Sequence, residues 1–169
     1  VSFVNEPVHN LVHRDVLSEA GTSFVASRAA EGVEFLASTD SWFRPVNLTV
    51  GPDGALYLLD YYREVIEHPE WTSTNVHTSK NLYNGSDKGR IYRIVPDSSS
   101  SLPLPKDVRL GEASEAELVQ QLGNPNVWWR RTAQRLLVDR QSPEAVQPLF
   151  KLFEESPSPL ARLHALWTL

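Results

Sequence analysis

Residues 42–63 read WFRPVNLTVGPDGALYLLDYYR, and this stretch decides the fold of the N-terminal part of the chain. Two apolar runs, Val46–Val50 and Ala55–Leu59, flank a Pro-Asp-Gly turn sequence. Proline presets φ at the first corner of a turn and Gly54 can take a positive φ, so the stretch predicts a β-hairpin. The second strand is apolar on both sides, which predicts a sheet that is buried on both faces.

Polar residues at the ends of this hairpin are the first candidates for chemistry. Asp60 could bind calcium together with loop carbonyls, or orient Arg63 to hold an anionic cofactor. The alternative is a structural corner in which the Asp60 carboxylate caps backbone amides. Arg44 could pair with the carboxylate of an anionic ligand such as a sugar acid, or it could stack on Trp42 and pair with Asp40.

Histidines supply the candidate acid–base groups. His9 and His13 are expected on one face of a strand, and they lack the glutamate of the helical zinc motif His-Glu-x-x-His, which argues against a zinc site. Either ring could still serve as a general base. His68 lies in a long polar loop, residues 64–88, between acidic neighbours that favour its charged form, and Trp71 is expected to anchor that loop.

The chain changes character after a strand at 90–95, which is expected to pair with the second hairpin strand. A Ser/Pro-rich linker, residues 97–112, separates the β-rich part (1–96) from a helical part (113–169), where the apolar period becomes 3.6. Ser114 begins a capping box with Glu117. The second and fourth predicted helices match at a shift of 32 residues, which indicates an α-solenoid, and the recurring arginines of this match, Arg130 and Arg162, predict a structural role between helices.

Composition excludes several classes of protein. The net charge of −5 leaves no basic footprint for nucleic acid. The absence of cysteine excludes a disulfide framework, a thiolate zinc site and covalent haem attachment within these residues. No apolar run is long enough to span a membrane. The chain begins without Met and stops within a helical pattern, so we expect an internal fragment, for which a missing targeting segment is uninformative.

Three motifs carry a resemblance to a known family. They are the run from Asp40 to Arg63, the segment Ile66–Trp71 and the segment Gly89–Pro96. Together they resemble the large bacterial proteins called membrane-bound dehydrogenase domain or planctomycete-type haem-binding proteins. The resemblance implies a β-propeller similar to that of glucose/sorbosone dehydrogenases, then HEAT-like repeats. The expected fold is therefore the last blades of a β-propeller followed by an α-solenoid.

The same resemblance implies a function. It suggests an extracytoplasmic oxidoreductase, periplasmic or at the cell surface, that oxidises a sugar or alcohol through pyrroloquinoline quinone with calcium. Electrons would pass to a cytochrome c domain or partner, with haem c outside this stretch. The expected roles are cofactor binding for Arg44 and Arg63, a metal ligand in Asp60, and catalysis for His9 and His68.

This stretch alone is expected to be inactive, because the central site of a propeller draws groups from several blades. The alternative is a non-catalytic scaffold that binds carbohydrate or protein. In either case the helical repeats would make protein contacts.

Overall fold

The computed structural model describes residues 1–75, 82–97 and 105–169. Residues 76–81 of the predicted loop and residues 98–104 of the predicted linker lie outside the described ranges. The chain divides into two compact units. The first consists of Val1–Thr49 with Leu56–Ile94, and the second of Val50–Ala55 with Val95–Leu169.

The first sheet of the first unit is antiparallel and is organised around one long strand. Its strands are β1 (Ser2–Glu6), β2 (Leu11–Ala20), β3 (Ser23–Arg28) and the short β4 (Leu36–Ala37). Strand β1 pairs along one edge of β2, while β3 and β4 pair with the two ends of its other edge. His9 precedes β2 and lies in a turn, so the expectation that His9 and His13 share a strand face is wrong.

The second sheet contains the predicted hairpin. Its strands are β5 (Pro45–Val50), β6 (Leu56–Asp60) and β7 (Arg90–Ile94), in that order. The Gly51 N–H donates to the Ala55 carbonyl at 2.9 Å, and Gly54 has φ +81°, which confirms the turn. Strand β7 pairs antiparallel with β6, as the sequence predicts.

Burial of the second sheet differs from the expectation. Leu58 is fully buried and packs with Val12 and Phe43 in the core of the first unit. On the opposite face, Leu59 and its cross-strand neighbour Ile91 are exposed. The expectation of two buried faces is wrong here, because an apolar side chain in a strand does not have to be buried and much of a folded protein's surface is apolar.

The second unit contains four α-helices within the described residues. They are α1 (Glu115–Gln121), α2 (Val127–Arg140), α3 (Val146–Glu155) and α4 (Pro159–Thr168). The capping box of Ser114 and Glu117 is confirmed, and Asn126 and Ser158 cap α2 and α4. The helices pack through a common apolar core that includes Leu118, Leu122, Ala133, Leu137, Leu149 and Ala165.

The recurring arginines have the predicted structural role. Arg130 donates from Nη1 to the carbonyls of Asn124 and Pro125, at 2.7 and 2.8 Å, and its Nε lies 3.4 Å from Nε2 of His164 on α4. Arg162 donates to the Phe153 carbonyl at 3.0 Å. Arg162 thus satisfies a carbonyl in the last turn of α3, where an α-helix leaves carbonyls without partners, and Arg130 satisfies two carbonyls in the loop after α1.

The start of α2 also holds the turn of the hairpin, which belongs to the same unit. The Asn126 amide donates to the carbonyls of Gly51 and Pro52, at 3.0 and 3.1 Å. The Trp129 indole N–H donates to the Pro52 carbonyl at 2.9 Å. Trp128 and Trp129 both pack against the helical core, and Trp129 additionally binds the turn.

The expected β-propeller followed by an α-solenoid is wrong. A propeller closes a ring of at least four sheets, and a solenoid needs at least three stacked repeats. The described residues form two small antiparallel sheets and four helices, which is too few elements for either architecture. Within the described ranges, no helix has the length and apolar character needed to cross a membrane.

Candidate functional site

Asp60, the last residue of β6, is a buried structural corner. Its Oδ1 accepts from the backbone N–H groups of Arg44 and Tyr62, at 2.8 and 2.9 Å. Its Oδ2 accepts from Nε of Arg90 at 2.8 Å, and its side chain is fully buried. The capping alternative is therefore confirmed. Asp60 forms its ion pair with Arg90, so the expected Asp60–Arg63 pair is wrong.

Arg90 lies between two aromatic rings at the start of β7. Its guanidinium carbon is 4.0 Å from the ring centroid of Tyr62 and 5.4 Å from that of Tyr92. Its Nη2 also reaches Oδ2 of Asp40 at 3.3 Å. Burial opposes the charge, but the hydrogen bonds to Asp60 and Asp40 outweigh it and raise the pKa of Arg90. The pKa of Asp40 is lowered, first by the Trp42 N–H and then by Arg90.

Arg44 uses its side chain to join two loops. Its Nε donates to the Arg63 carbonyl at 2.9 Å, and its Nη2 donates to the Glu64 carbonyl at 2.8 Å. Its Nη1 donates to the carbonyls of Pro7 and Val8, at 2.7 and 3.3 Å. Four of its five N–H groups are therefore engaged by backbone, and burial lowers the pKa of the side chain.

The expected pair between Arg44 and Asp40 is wrong, because Asp40 binds Arg90 instead. A bidentate grip on a ligand carboxylate would require Arg44 to give up carbonyls that it already holds. The donor set therefore does not fit the quinone role that the resemblance implies for Arg44.

Arg63 is the charged group that keeps capacity for a ligand. Its Nη1 donates to the carbonyls of Tyr61, Tyr62 and Gly85, at 3.2, 3.1 and 2.5 Å. Its guanidinium carbon lies 4.2 Å from the centroid of the Tyr61 ring. Among the described residues no carboxylate pairs with Arg63, and no acceptor there binds its Nε or Nη2.

A cleft of about 390 Å³ opens beside Arg63. It is lined by Val46, Leu59, Asp60, Tyr61, Arg63, Ser86, Gly89, Arg90 and Ile91. Its apolar side is the exposed face of the second sheet. Its charges are those of two arginines and the buried Asp60 carboxylate, so the lining carries a net charge of +1. We call this the Arg63 cleft.

His9 and His68 do not join this cluster through any contact that the described residues make. The His9 ring is exposed and approaches Oε1 of Glu6 at 3.4 Å. His68 accepts from the Glu70 N–H at 3.3 Å, and its ring centroid is 5.8 Å from that of Trp71. Trp71 is 78% exposed, so its expected role as a buried anchor of the loop is wrong. The structure thus brings Arg44, Asp60 and Arg63 together and leaves both histidines outside.

His13 forms a separate polar cluster on β2. Its Nδ1 lies 2.6 Å from Oε2 of Glu34, and its Nε2 lies 2.9 Å from Oδ1 of Asp15. Arg28 also pairs with Glu34. The hydrogen bond to Glu34, followed by that to Asp15, raises the pKa of His13 above 6.5. Because both ring nitrogens donate to carboxylates in the charged form, this residue is suited to an ion-pair network rather than to general-base catalysis.

Stability should follow the titration of this cluster. Because the pKa of His13 is raised in the folded state, the charged ring stabilises the fold below pH 6.5. This stabilisation is lost as the pH rises through the folded-state pKa of His13. The hydrogen bond to His13, followed by that to Arg28, lowers the pKa of Glu34 from 4.5. The stability that ionised Glu34 contributes is therefore lost as the pH falls below 4.5 and through its folded-state pKa. We expect the cluster to contribute most between pH 4.5 and 6.5. Urea unfolding from pH 5 to 9 should show wild type losing stability relative to His13→Gln.

The matched control for this titration is Thr49→Gln, which changes an exposed residue of the same unit and removes no titratable group. Its unfolding free energy should run parallel to that of wild type over the same pH range. Parallel curves for wild type and His13→Gln would contradict the assignment of the pH dependence to His13.

The side chains around Asp60 cannot form a calcium site. Calcium needs carboxylate oxygens with free lone pairs, usually six to eight oxygen ligands in all. Both Asp60 oxygens are already occupied, one by two amides and the other by a guanidinium that would repel a cation. Among the described residues no three His, Asp or Glu side chains converge as a metal site.

Sequence reasoning did not identify Arg90, although the signal was present. An antiparallel pairing of residues 90–95 with 55–59 brings Arg90 opposite Asp60, which is the register observed. The Glu34 partner of His13 had no such signal, because it lies in an irregular segment 21 residues away.

A family model described as "Domain of unknown function (DUF7133)" matches residues 1–98 of the 169 residues. The match covers more than half of the chain and includes every residue of the Arg63 cleft. No curated protein and no solved structure matches the chain.

Proposed function

We propose, from the premise that the chain belongs to the DUF7133 family, that its N-terminal part is a non-catalytic module that binds carboxylated carbohydrate in the Arg63 cleft. The observation that carries the proposal is the geometry of Arg63. Backbone carbonyls fix one nitrogen of the guanidinium, and the ring of Tyr61 supports its plane. The remaining Nε and Nη2 edge offers the two parallel donors that a carboxylate accepts.

The surroundings of Arg63 favour a sugar acid over a bare anion. Tyr61 is 49% exposed, and an aromatic ring with one polar end packs well against a sugar ring. Leu59 and Ile91 add apolar surface, and the Ser86 hydroxyl can bond to a sugar hydroxyl. A volume of about 390 Å³ lies within the usual range of small-ligand sites. The net charge of +1 favours an acidic sugar over a neutral one.

Binding should depend on the ligand carboxylate and on Arg63. We expect D-glucuronate oligosaccharides to bind the full chain in isothermal titration calorimetry, and the matching neutral glucose oligosaccharides to bind at least about tenfold more weakly. Arg63→Gln removes the charge-assisted pair and should weaken glucuronate binding by about tenfold or more. Chemical shifts of Tyr61 and Ile91 should move on titration.

The matched control is Arg131→Gln, which removes one positive charge from the exposed surface of α2. It should bind glucuronate as wild type does. Equal affinity for the acidic and neutral oligosaccharides, or wild-type binding by Arg63→Gln, would exclude the proposed site.

The oxidoreductase that the resemblance implies remains a prediction, together with its electron acceptor and extracytoplasmic location. The donors of Arg44 and the oxygens of Asp60 are committed to the protein, so neither residue offers a ligand to quinone or calcium. These saturated contacts support the binding module over the dehydrogenase.

A further inference from the structure

Strand β3 presents an exposed edge that is uncharged up to its last residue, Arg28. All six of its residues are exposed, with Phe24 at 63% and Val25 at 59%. It pairs with β2 on one side, and no described strand pairs with its other side. Edge strands in natural proteins are usually protected by charge, proline or a covering segment. Residues 22–27, Thr-Ser-Phe-Val-Ala-Ser, contain neither charge nor proline.

The ladder fixes which backbone groups point outward from β3. The Ala29 N–H donates to the Arg14 carbonyl on the β2 side. Because amides alternate along an antiparallel strand, Val25 shares the orientation of Ala29, while Phe24 and Ala26 direct N–H and C=O away from β2. Phe24 and Ala26 can therefore exchange four backbone hydrogen bonds with an identical strand that runs in the opposite direction.

The sequence of β3 is chemically symmetric about Val25. Ser23 and Ser27 are equivalent small polar residues, and Phe24 and Ala26 are both apolar. Antiparallel pairing centred on Val25 therefore brings serine opposite serine and apolar opposite apolar. We infer that β3 is a self-complementary edge that pairs with β3 of a second copy of this chain, with Val25 at the two-fold axis.

The packing of side chains supports a second copy of this chain as the partner of β3. In the paired register, Phe24 of each copy lies opposite Ala26 of the other, on the face that also carries Leu17 of β2. Exposed apolar side chains from both copies would thus cover one another. Arg28 would lie opposite Thr22, so no like charges would meet. An interface of one short strand per copy buries less than about 1,200 Å², which is typical of weak association.

Single-cysteine variants can test the register directly, because the natural chain contains no cysteine. Val25 residues at the axis would form a close pair with Cα atoms about 4.5 Å apart, within reach of a disulfide. Full-length Val25→Cys should form a disulfide-linked dimer at least about tenfold faster than Val33→Cys under mild oxidation. Val33, at 64% exposed, is a matched control in the same unit.

A second pair of variants measures association without covalent trapping. Val25→Lys would place two ammonium groups face to face and should abolish concentration-dependent dimerisation in sedimentation analysis, whereas Val33→Lys should retain it. Cross-linking of Val25→Cys at the rate of Val33→Cys would overturn the proposal, as would a monomeric wild-type chain at millimolar concentration. Faster cross-linking of Ala26→Cys than of Val25→Cys would also overturn it, because the axis would then lie elsewhere.

Discussion

Asp60→Ala is expected to destabilise the first unit by about 3–5 kcal/mol, the usual cost of removing one partner from a buried ion pair. The carboxylate accepts two backbone N–H groups and the Arg90 guanidinium, and its side chain is fully buried. Removing it leaves both amides without an acceptor, and it leaves Arg90 with only the more distant Asp40. Urea unfolding at pH 7, followed by circular dichroism, measures the loss.

Two further variants test the role of the Asp60 carboxylate. Asp60→Asn keeps an oxygen for the Arg44 and Tyr62 amides and loses the charge, so its stability should fall between those of wild type and Asp60→Ala. Asp87→Ala removes an exposed carboxylate of the same unit and should change stability by less than about 0.5 kcal/mol. An Asp60→Ala variant as stable as Asp87→Ala would refute the structural role of this corner.

Gly85→Ala should have the second large effect, because the substitution meets both strain and a collision. Gly85 has φ +89°, and a Cβ built there would lie inside 3.0 Å of the Tyr62 carbonyl oxygen. The loop must therefore move, and it carries the carbonyl that accepts from Arg63. We expect a loss of at least about 2–3 kcal/mol in unfolding free energy. Glucuronate binding should weaken as well.

Gly54→Ala is the matched control for Gly85→Ala. Gly54 has a similar φ of +81°, but a Cβ there would meet nothing within 4 Å. Its cost should be only the conformational strain, about 1–2 kcal/mol. Equal costs for the two variants would show that the contact with Tyr62 contributes nothing.

Local sequence signals predicted the local structure well. The Pro-Asp-Gly turn, the pairing of β6 with β7 and the capping box at Ser114 each depend on residues close in sequence or on a simple strand register. These features are decided by backbone preferences and by a few hydrogen bonds, which a short stretch of sequence specifies.

The long-range partners were less predictable. The three-residue spacing of Asp60 and Arg63 predicts an ion pair between them, yet the strand register gives Asp60 a partner 30 residues away. Trp71 has the apolar bulk of an anchor and is nevertheless exposed. Charge and bulk alone do not specify which of several acceptors or surfaces a side chain will meet, because that choice depends on how distant segments pack.

The expected architecture was wrong for a different reason. A resemblance of motifs in residues 40–96 concerns a hairpin and its flanking loops, and these elements are compatible with many arrangements of sheets. The described residues instead form one sheet of four strands and another of three.

The four carbonyl contacts of Arg44 have a consequence for the order of folding. Their acceptors lie at sequence separations of 19 to 37 residues, in two different loops. Burying a guanidinium before its acceptors arrive costs several kcal/mol, so we expect the side chain to enter its place late in folding, after both loops have closed. Contacts that form after the transition state slow unfolding and leave the folding rate nearly unchanged. We therefore expect loss of the Arg44 side chain to speed unfolding of the unit more than it slows folding.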